Sequence, residues 1–165
     1  MSTLREDAQN VIRSALSDTQ PKQAMTLALK SLRLYGGRLR VIAIGKAAWS
    51  MAAAACDILG TAIDCGLVIT KYGHSHGKLP RFGIFEAGHP IPDENSVRAA
   101  DAAISLVQGL QVDDTVLMLI SGGGSALFEK PLIPLPMFET TTNALWHSGA
   151  NITEMNIIRK RLSAV

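Results

Sequence analysis

The sequence is poor in cysteine. Cys56 and Cys65 are its two cysteines in 165 residues. That excludes a disulfide-stapled scaffold and reads as two buried, reduced thiols in a cytoplasmic protein. A block of like charge is also missing. Sixteen Lys and Arg stand against fourteen Asp and Glu, a formal net charge of +2. The basic stretch "IRKR" near the end is too short for a nucleic-acid-binding arm. No run reads as a membrane span: the most apolar window, "VIAIGKAAWSMAAAACDIL", is rich in alanine and contains Lys46 and Asp57. The opening "MSTLREDAQ" is charged and has no apolar core of a secretory leader. Internal repeats and low-complexity stretches are absent as well. What remains is a globular composition, 47% apolar and 18% charged, long enough for one domain with its own core.

Periodicity organises that domain. Leu4, Ala8, Val11, Ile12 and Ala15 share one helical face, predicting a helix over 3–17, and Thr3 and Glu6 have capping-box spacing. A second helix fits 21–34, with Pro21 at its first position and Gly36 and Gly37 beyond its end. Short β-branched runs then alternate with helical patterns. "RLRVIAIG", "GLVIT", "RFGIFEA" and "DTVLMLI" read as strands; "KAAWSMAAAACDIL" and "ENSVRAADAAISLVQGL" read as helices between them. The strand runs are almost continuously apolar, as in parallel strands buried on both faces. The expected fold is therefore α/β, a Rossmann-like three-layer sandwich with a mostly parallel sheet and helices on both faces. Two further helices, "MFETTTNALWHSG" and "NITEMNIIRKRL", follow the loop "PLIPLP".

In such sheets ligands bind beyond the carboxyl ends of the strands, and polar and glycine residues crowd all four ends. The first ends in Gly45 and Lys46, the second in "TKYGHSHG", the third in "EAGHPIPDENS" and the fourth in "SGGGSAL". Gly122, Gly123 and Gly124 lie between Ser121 and Ser125. Bare backbone there turns tightly, approaches a ligand closely and aims N–H groups at an anion, with the serine hydroxyls as extra donors. Lys46 at a helix start opposes the helix dipole, which an anionic substrate would compensate. Asp93 or Asn95 can cap the helix that follows the third strand, leaving Glu86 and His89 to face the crevice. His74 and His76 form an H-x-H pair, but no third metal ligand stands at a sensible spacing. His147, beside Trp146, reads as structural.

Several motifs are excluded. Gly45-Lys46 has no upstream glycine at P-loop spacing, and Ala47 replaces the magnesium-binding Ser or Thr. Leu127 stands where the third glycine of a dinucleotide fingerprint belongs, and the nucleophile-elbow pattern is absent.

Four stretches in order, "IGKAAWSMA", "EAGHPIPDENS", "SGGGSALFEKP" and "SGANITEMNIIRKRLS", resemble the glycerate 2-kinase family, whose members carry a C-terminal MOFRL domain and are often labelled hydroxypyruvate reductases. The resemblance runs from about residue 5 to the end. It implies that residues 1–165 are part of an N-terminal α/β domain, with the MOFRL domain absent. Family members place the active site in the cleft between the two domains, so this chain is expected to be a fragment inactive alone. The implied reaction is phosphorylation of D-glycerate to 2-phosphoglycerate with ATP and Mg2+. The family's catalytic lysine corresponds to Lys46 and its anion loop to Ser121–Ser125. Glu154, Asn156 and Arg159 match an E-x-N-x-x-R helix that contributes to the cleft. Asp93 and Glu86 are the candidates for magnesium. Two alternatives stand beside this reading: an NADH-dependent hydroxypyruvate reductase, and a non-catalytic domain that binds anions and forms a homodimer. Neither nucleic acid nor membrane is expected as a partner.

Overall fold

In a computed structural model, which describes residues 3–165, the elements run in the expected alternation. They are α1 (Leu4–Asp18), α2 (Pro21–Leu29), β1 (Leu39–Ile44), α3 (Ala48–Leu59), β2 (Ile63–Lys71), β3 (Phe82–Ala87), α4 (Glu94–Leu106), β4 (Thr115–Ile120), α5 (Gly124–Leu127), α6 (Leu135–His147) and α7 (Ile152–Leu162). The four strands form one sheet in the order β3-β2-β1-β4, and every pair is parallel.

Alternation along the strands builds two cores. Leu39, Val41 and Ala43 of β1 face α2 and α3, with Met25, Leu29, Ala48, Ala52 and Ala55. Ile42 and Ile44 face the other way, onto Ala99 and Ala103 of α4 and Leu127 of α5. The alanines let both helix layers approach the sheet closely. Each fully buried Val, Leu or Ile contributes about 1.5–3 kcal/mol, so the central strands β1 and β2 hold the sandwich together.

The edges of several elements differ from expectation. β2 starts three residues earlier than the apolar run "GLVIT". Leu39 pairs with Ile63 but Arg40 pairs with Cys65, so Asp64 is an extra residue in the ladder. That bulge shifts the inward parity by one, which hides Ile63 from a period-two pattern. α2 ends at Leu29 rather than Leu34: the Leu32 amide donates to the Leu29 carbonyl and the Ser31 hydroxyl to the Ala28 carbonyl, tightening the chain out of the helix. α4 ends at Leu106, short of Leu110. Cys56 and Cys65 are free but half-buried rather than buried. The apolar face of α1 buries nothing among the described residues; Leu4, Val11, Ile12 and Leu16 are all exposed.

Candidate functional site

The strand order reverses between β1 and β4. β1 leads outward to β2 and β3, and the chain then returns to place β4 on the other side of β1. A crevice opens above the carboxyl ends of two neighbours whose connections leave in opposite directions, the position where open α/β sheets bind ligands. The two loops that meet there are those carrying Lys46 and the three glycines.

Ser121 ties these loops together. Its hydroxyl donates to the Ile44 carbonyl (3.2 Å) and accepts from the Ala47 amide (3.1 Å). The Lys46 amide donates to the Gly122 carbonyl at 2.9 Å. Gly45 makes this closeness possible: its φ is +115°, and a Cβ there would collide with the Ser121 hydroxyl and backbone. Beneath it, the fully buried Thr70 hydroxyl donates to the Gly45 carbonyl at 3.0 Å. Thr70 was not recognisable from sequence, where it closes an otherwise apolar run.

Lys46 stands two residues before α3, and its ammonium group has no hydrogen bond or ion pair among the described residues. It bends over the glycine loop. A Cβ at Gly123 would stand 3.3 Å from Lys46 Cε and 2.8 Å from Nε2 of His89. Gly123 itself has φ +90°. Nothing lies within 4 Å of a Cβ at Gly122, so the space above that residue is open. The amides of Gly122, Gly123 and Gly124 donate to no carbonyl among the described residues. The Lys46 side chain and the His89 imidazole thus meet beside Gly123, with open space over Gly122.

The electrostatics have one sign. Burial lowers the His89 pKa below the ordinary histidine value, and the nearby charges of Lys46, Lys71 and His74 lower it further; a hydrogen bond to its own backbone works against them. Burial is the larger cause and the neighbouring cations the next, and an anion would complement those cations.

The expected carboxylates are occupied. Glu86 accepts from the Ser75 amide (3.0 Å) and hydroxyl (2.7 Å), and these bonds hold its carboxyl below the ordinary glutamate value. It does not point freely into the crevice, because it fastens the H-x-H loop. The same loop is fixed by His74, whose Nδ1 lies 3.2 Å from the Lys46 carbonyl oxygen. It is fixed again by Trp49, whose indole donates to Gly77 and whose ring meets His76 edge-on at 5.0 Å. Asp93, not Asn95, caps α4. Burial raises its carboxyl, but bonds from Tyr72, Ser96 and Gly88 outweigh that and leave it below the ordinary value. Asn95 instead links the Tyr72 hydroxyl to the Glu86 carbonyl.

The E-x-N-x-x-R helix divides three ways. Glu154 accepts from the Asn151 amide (2.9 Å) in the capping box of α7. Asn156 faces a cavity of about 380 Å³ along the open edge of β4, with Met118, Ile120 and Phe128. Arg159 reaches the glycine loop: its guanidinium donates to the Ser125 carbonyl (2.7 Å) and to Glu129 (3.2 Å), and it lies over the Phe138 ring. Glu129 is only 3% exposed and also accepts from the Ser163 hydroxyl. In the sequence Glu129 stands beside Lys130, like an exposed charge pair, and nothing local marks it for burial. A second cavity, about 470 Å³, is lined by His89, Gly123, Ser125, Thr142, Trp146 and Arg159. It joins the glycine loop to α6 and α7. His147 is exposed, with Nδ1 2.7 Å from the Asn143 carbonyl oxygen.

Comparison with known proteins gives this geometry relatives. A D-glycerate 2-kinase of Thermotoga maritima is 45% identical over 165 residues, covering 99% of this chain and 39% of that protein. A putative hydroxypyruvate reductase of Agrobacterium vitis is 40% identical, covering 98% of this chain and 36% of the relative. A crystal structure of a glycerate kinase from Thermotoga maritima superposes with a TM-score of 0.92 at 45% identity, over 98% of this chain and 39% of that one. The chain thus spans about two fifths of the length of the relatives it matches. The α/β architecture is the one found in that glycerate kinase structure. With residues 7–165 matched, the chain belongs to the DUF4147 family, described as a domain of unknown function.

Proposed function

We propose that this chain carries the phosphate-handling side of a D-glycerate 2-kinase, transferring the terminal phosphoryl group of ATP to D-glycerate to give 2-phosphoglycerate. One observation carries the reading: an unpaired lysine stands over a loop of open glycine amides at the reversal point of a parallel sheet. The names of the Thermotoga relative and of the superposed structure support it. Within the relatives' greater length, we place this chain as part of an N-terminal α/β domain, with a MOFRL domain completing the cleft in the whole protein.

Phosphoryl transfer asks for positioning and charge stabilisation more than covalent chemistry. Lys46 supplies a point charge for the transferring group. The amides of Gly122, Gly123 and Gly124, with the Ser125 hydroxyl, hold phosphate or carboxylate oxygens. Ser121 keeps Lys46 and the glycines in register. Arg159 fixes the loop through the Ser125 carbonyl, and Asn156 lines the neighbouring cavity. Glu86 and Glu154 act on shape, one by holding the H-x-H loop and the other by starting α7.

Magnesium is expected with ATP. Among the described residues no group of three or more His, Cys, Asp or Glu could hold a metal ion, and Glu86, Asp93 and Glu129 are each taken up by donors of the chain. The described residues thus form no cage for the ion, and no step is assigned to it.

The test is glycerate-dependent ADP formation from ATP and D-glycerate by the protein extended to the relatives' full length, with hydroxypyruvate and NADH run in parallel. ADP formation that needs glycerate supports the kinase reading. NADH oxidation instead would favour the reductase name carried by the Agrobacterium relative, against which the missing dinucleotide fingerprint counts. A homodimer belongs to the same proposal, since α1 leaves an apolar face uncovered; gel filtration reports it. A cytoplasmic setting is also proposed, and no described helix is long and apolar enough to cross a membrane.

A further inference from the structure

We propose that His89 is the proton acceptor for the attacking hydroxyl in this site, a role that rests on the phosphoryl-transfer reading above. A hydroxyl that attacks phosphorus must lose its proton, and a group with an open lone pair has to stand beside it. Among the described residues the crevice contains few such groups. Lys46 is a cation. Glu86 is held by Ser75, and Asp93 by Tyr72 and the cap of α4. Glu129 is paired with Arg159, and the His74 ring is engaged with the Lys46 carbonyl. His89 remains, and its Nε2 is the ring atom turned toward Gly123 and the ammonium arm of Lys46.

Its placement also suits the step. His89 lines the cavity of about 470 Å³ that opens beside the glycine loop. A small hydroxy acid seated there would have its hydroxyl between the imidazole and a phosphate held over Gly122 and Gly123. The charged groups around the ring are Lys46 after β1, Lys71 at the end of β2, His74 in the following loop and Arg159 of α7, with Asp93 behind Gly88. Burial first and then these cations disfavour the protonated ring, which favours the form that can accept. In the step, the hydroxyl oxygen bonds to the terminal phosphorus of the nucleoside triphosphate while the bond from that phosphorus to the bridging oxygen breaks. The hydroxyl proton moves to Nε2, and the nucleoside diphosphate leaves with the electron pair. The imidazolium then returns its proton to solvent.

The experiment needs no turnover. The ring nitrogens of a chain labelled with 15N in histidine and glycine are followed by NMR between pH 5 and 9, without and with inorganic triphosphate, alongside the Gly123 amide. His89 is expected to titrate below the ordinary histidine range in the free chain. An anion beside it should raise its midpoint by roughly one unit, and the Gly123 amide should shift at the same time. If the Gly123 amide responds and His89 does not, the anion site stands and the proton-acceptor role is overturned. If neither responds, the phosphoryl-transfer reading fails and takes this proposal with it. On glycerate-dependent turnover of the full-length protein, His89→Gln should lower kcat at least tenfold and remove the acid limb of its pH profile, with KM for the nucleotide little changed. A His89→Gln protein that keeps the acid limb would overturn the role, because a merely structural histidine would leave the profile in place.

Discussion

The imidazole of His89 fills the space that a side chain at Gly123 would need, with Nε2 2.8 Å from where a Cβ would stand. Gly123 is therefore required twice, for its left-handed backbone and for this contact. Gly123→Ala should destabilise the chain by about 2 kcal/mol, combining backbone strain with displacement of a side chain. Gly122→Ala meets nothing within 4 Å and should stay within about 0.5 kcal/mol of the parent, while weakening triphosphate binding. Urea unfolding and calorimetric titration of the two variants separate fold from site.

The Lys46 side chain makes no hydrogen bond or ion pair among the described residues, and its backbone bonds survive substitution. Lys46→Ala should change the unfolding free energy by no more than about 0.5 kcal/mol and, in the full-length protein, abolish glycerate-dependent ADP formation. A folded variant with unaltered turnover would remove Lys46 from the mechanism.

Arg159 and Glu129 form a buried pair, with side chains 12% and 4% exposed. Glu129→Ala would leave the guanidinium charge buried without its partner, at a cost of about 3–5 kcal/mol. It would also release the Ser125 carbonyl contact from its anchor. The expected result is a large fall in unfolding free energy together with loss of anion binding. Glu129→Gln keeps one acceptor and should fall between the two.

Arg38 and Asp114 clamp the amino ends of β1 and β4. The Arg38 side chain bonds the Asp114 carboxylate at 2.6 and 3.0 Å, and the amides of Gln111 and Arg38 bond it too. Arg38 first, then these amides, hold the Asp114 carboxyl far below the ordinary aspartate value. The folded state then binds this proton more weakly than the unfolded state. The stabilisation is complete above about pH 4, the unfolded aspartate range, and is lost as the pH falls toward the depressed value. Unfolding free energies measured from pH 7 to pH 2 should show this loss, with a smaller slope in Asp114→Asn.

Much of the architecture was legible because local chemistry and tertiary packing agree. Thr3 and Glu6 form the capping box that their spacing announces, Pro21 opens α2, and Asn151 caps α7. The central strands bury both faces, as their continuous apolar runs predict. What escaped was non-local. The bulge at Asp64 depends on pairing with β1, so no period within β2 reveals it. Glu86 stands at a strand end like a ligand-facing carboxylate, but Ser75, eleven residues earlier, claims it. The Arg159–Glu129 pair joins positions thirty residues apart. The spacing of the glycines raised the expectation of an anion loop, whereas their different structural duties were not legible. Gly123 is dictated by its backbone and by His89, and Gly122 by neither.

The central claim is that Lys46 and the glycine loop form one anion site. Calorimetric titration of the chain with inorganic triphosphate at low salt, beside Lys46→Ala, tests it most directly. The account predicts saturable binding by the parent that weakens at least tenfold in the variant, with both proteins folded. Equal binding by the two, or none by either, would contradict it.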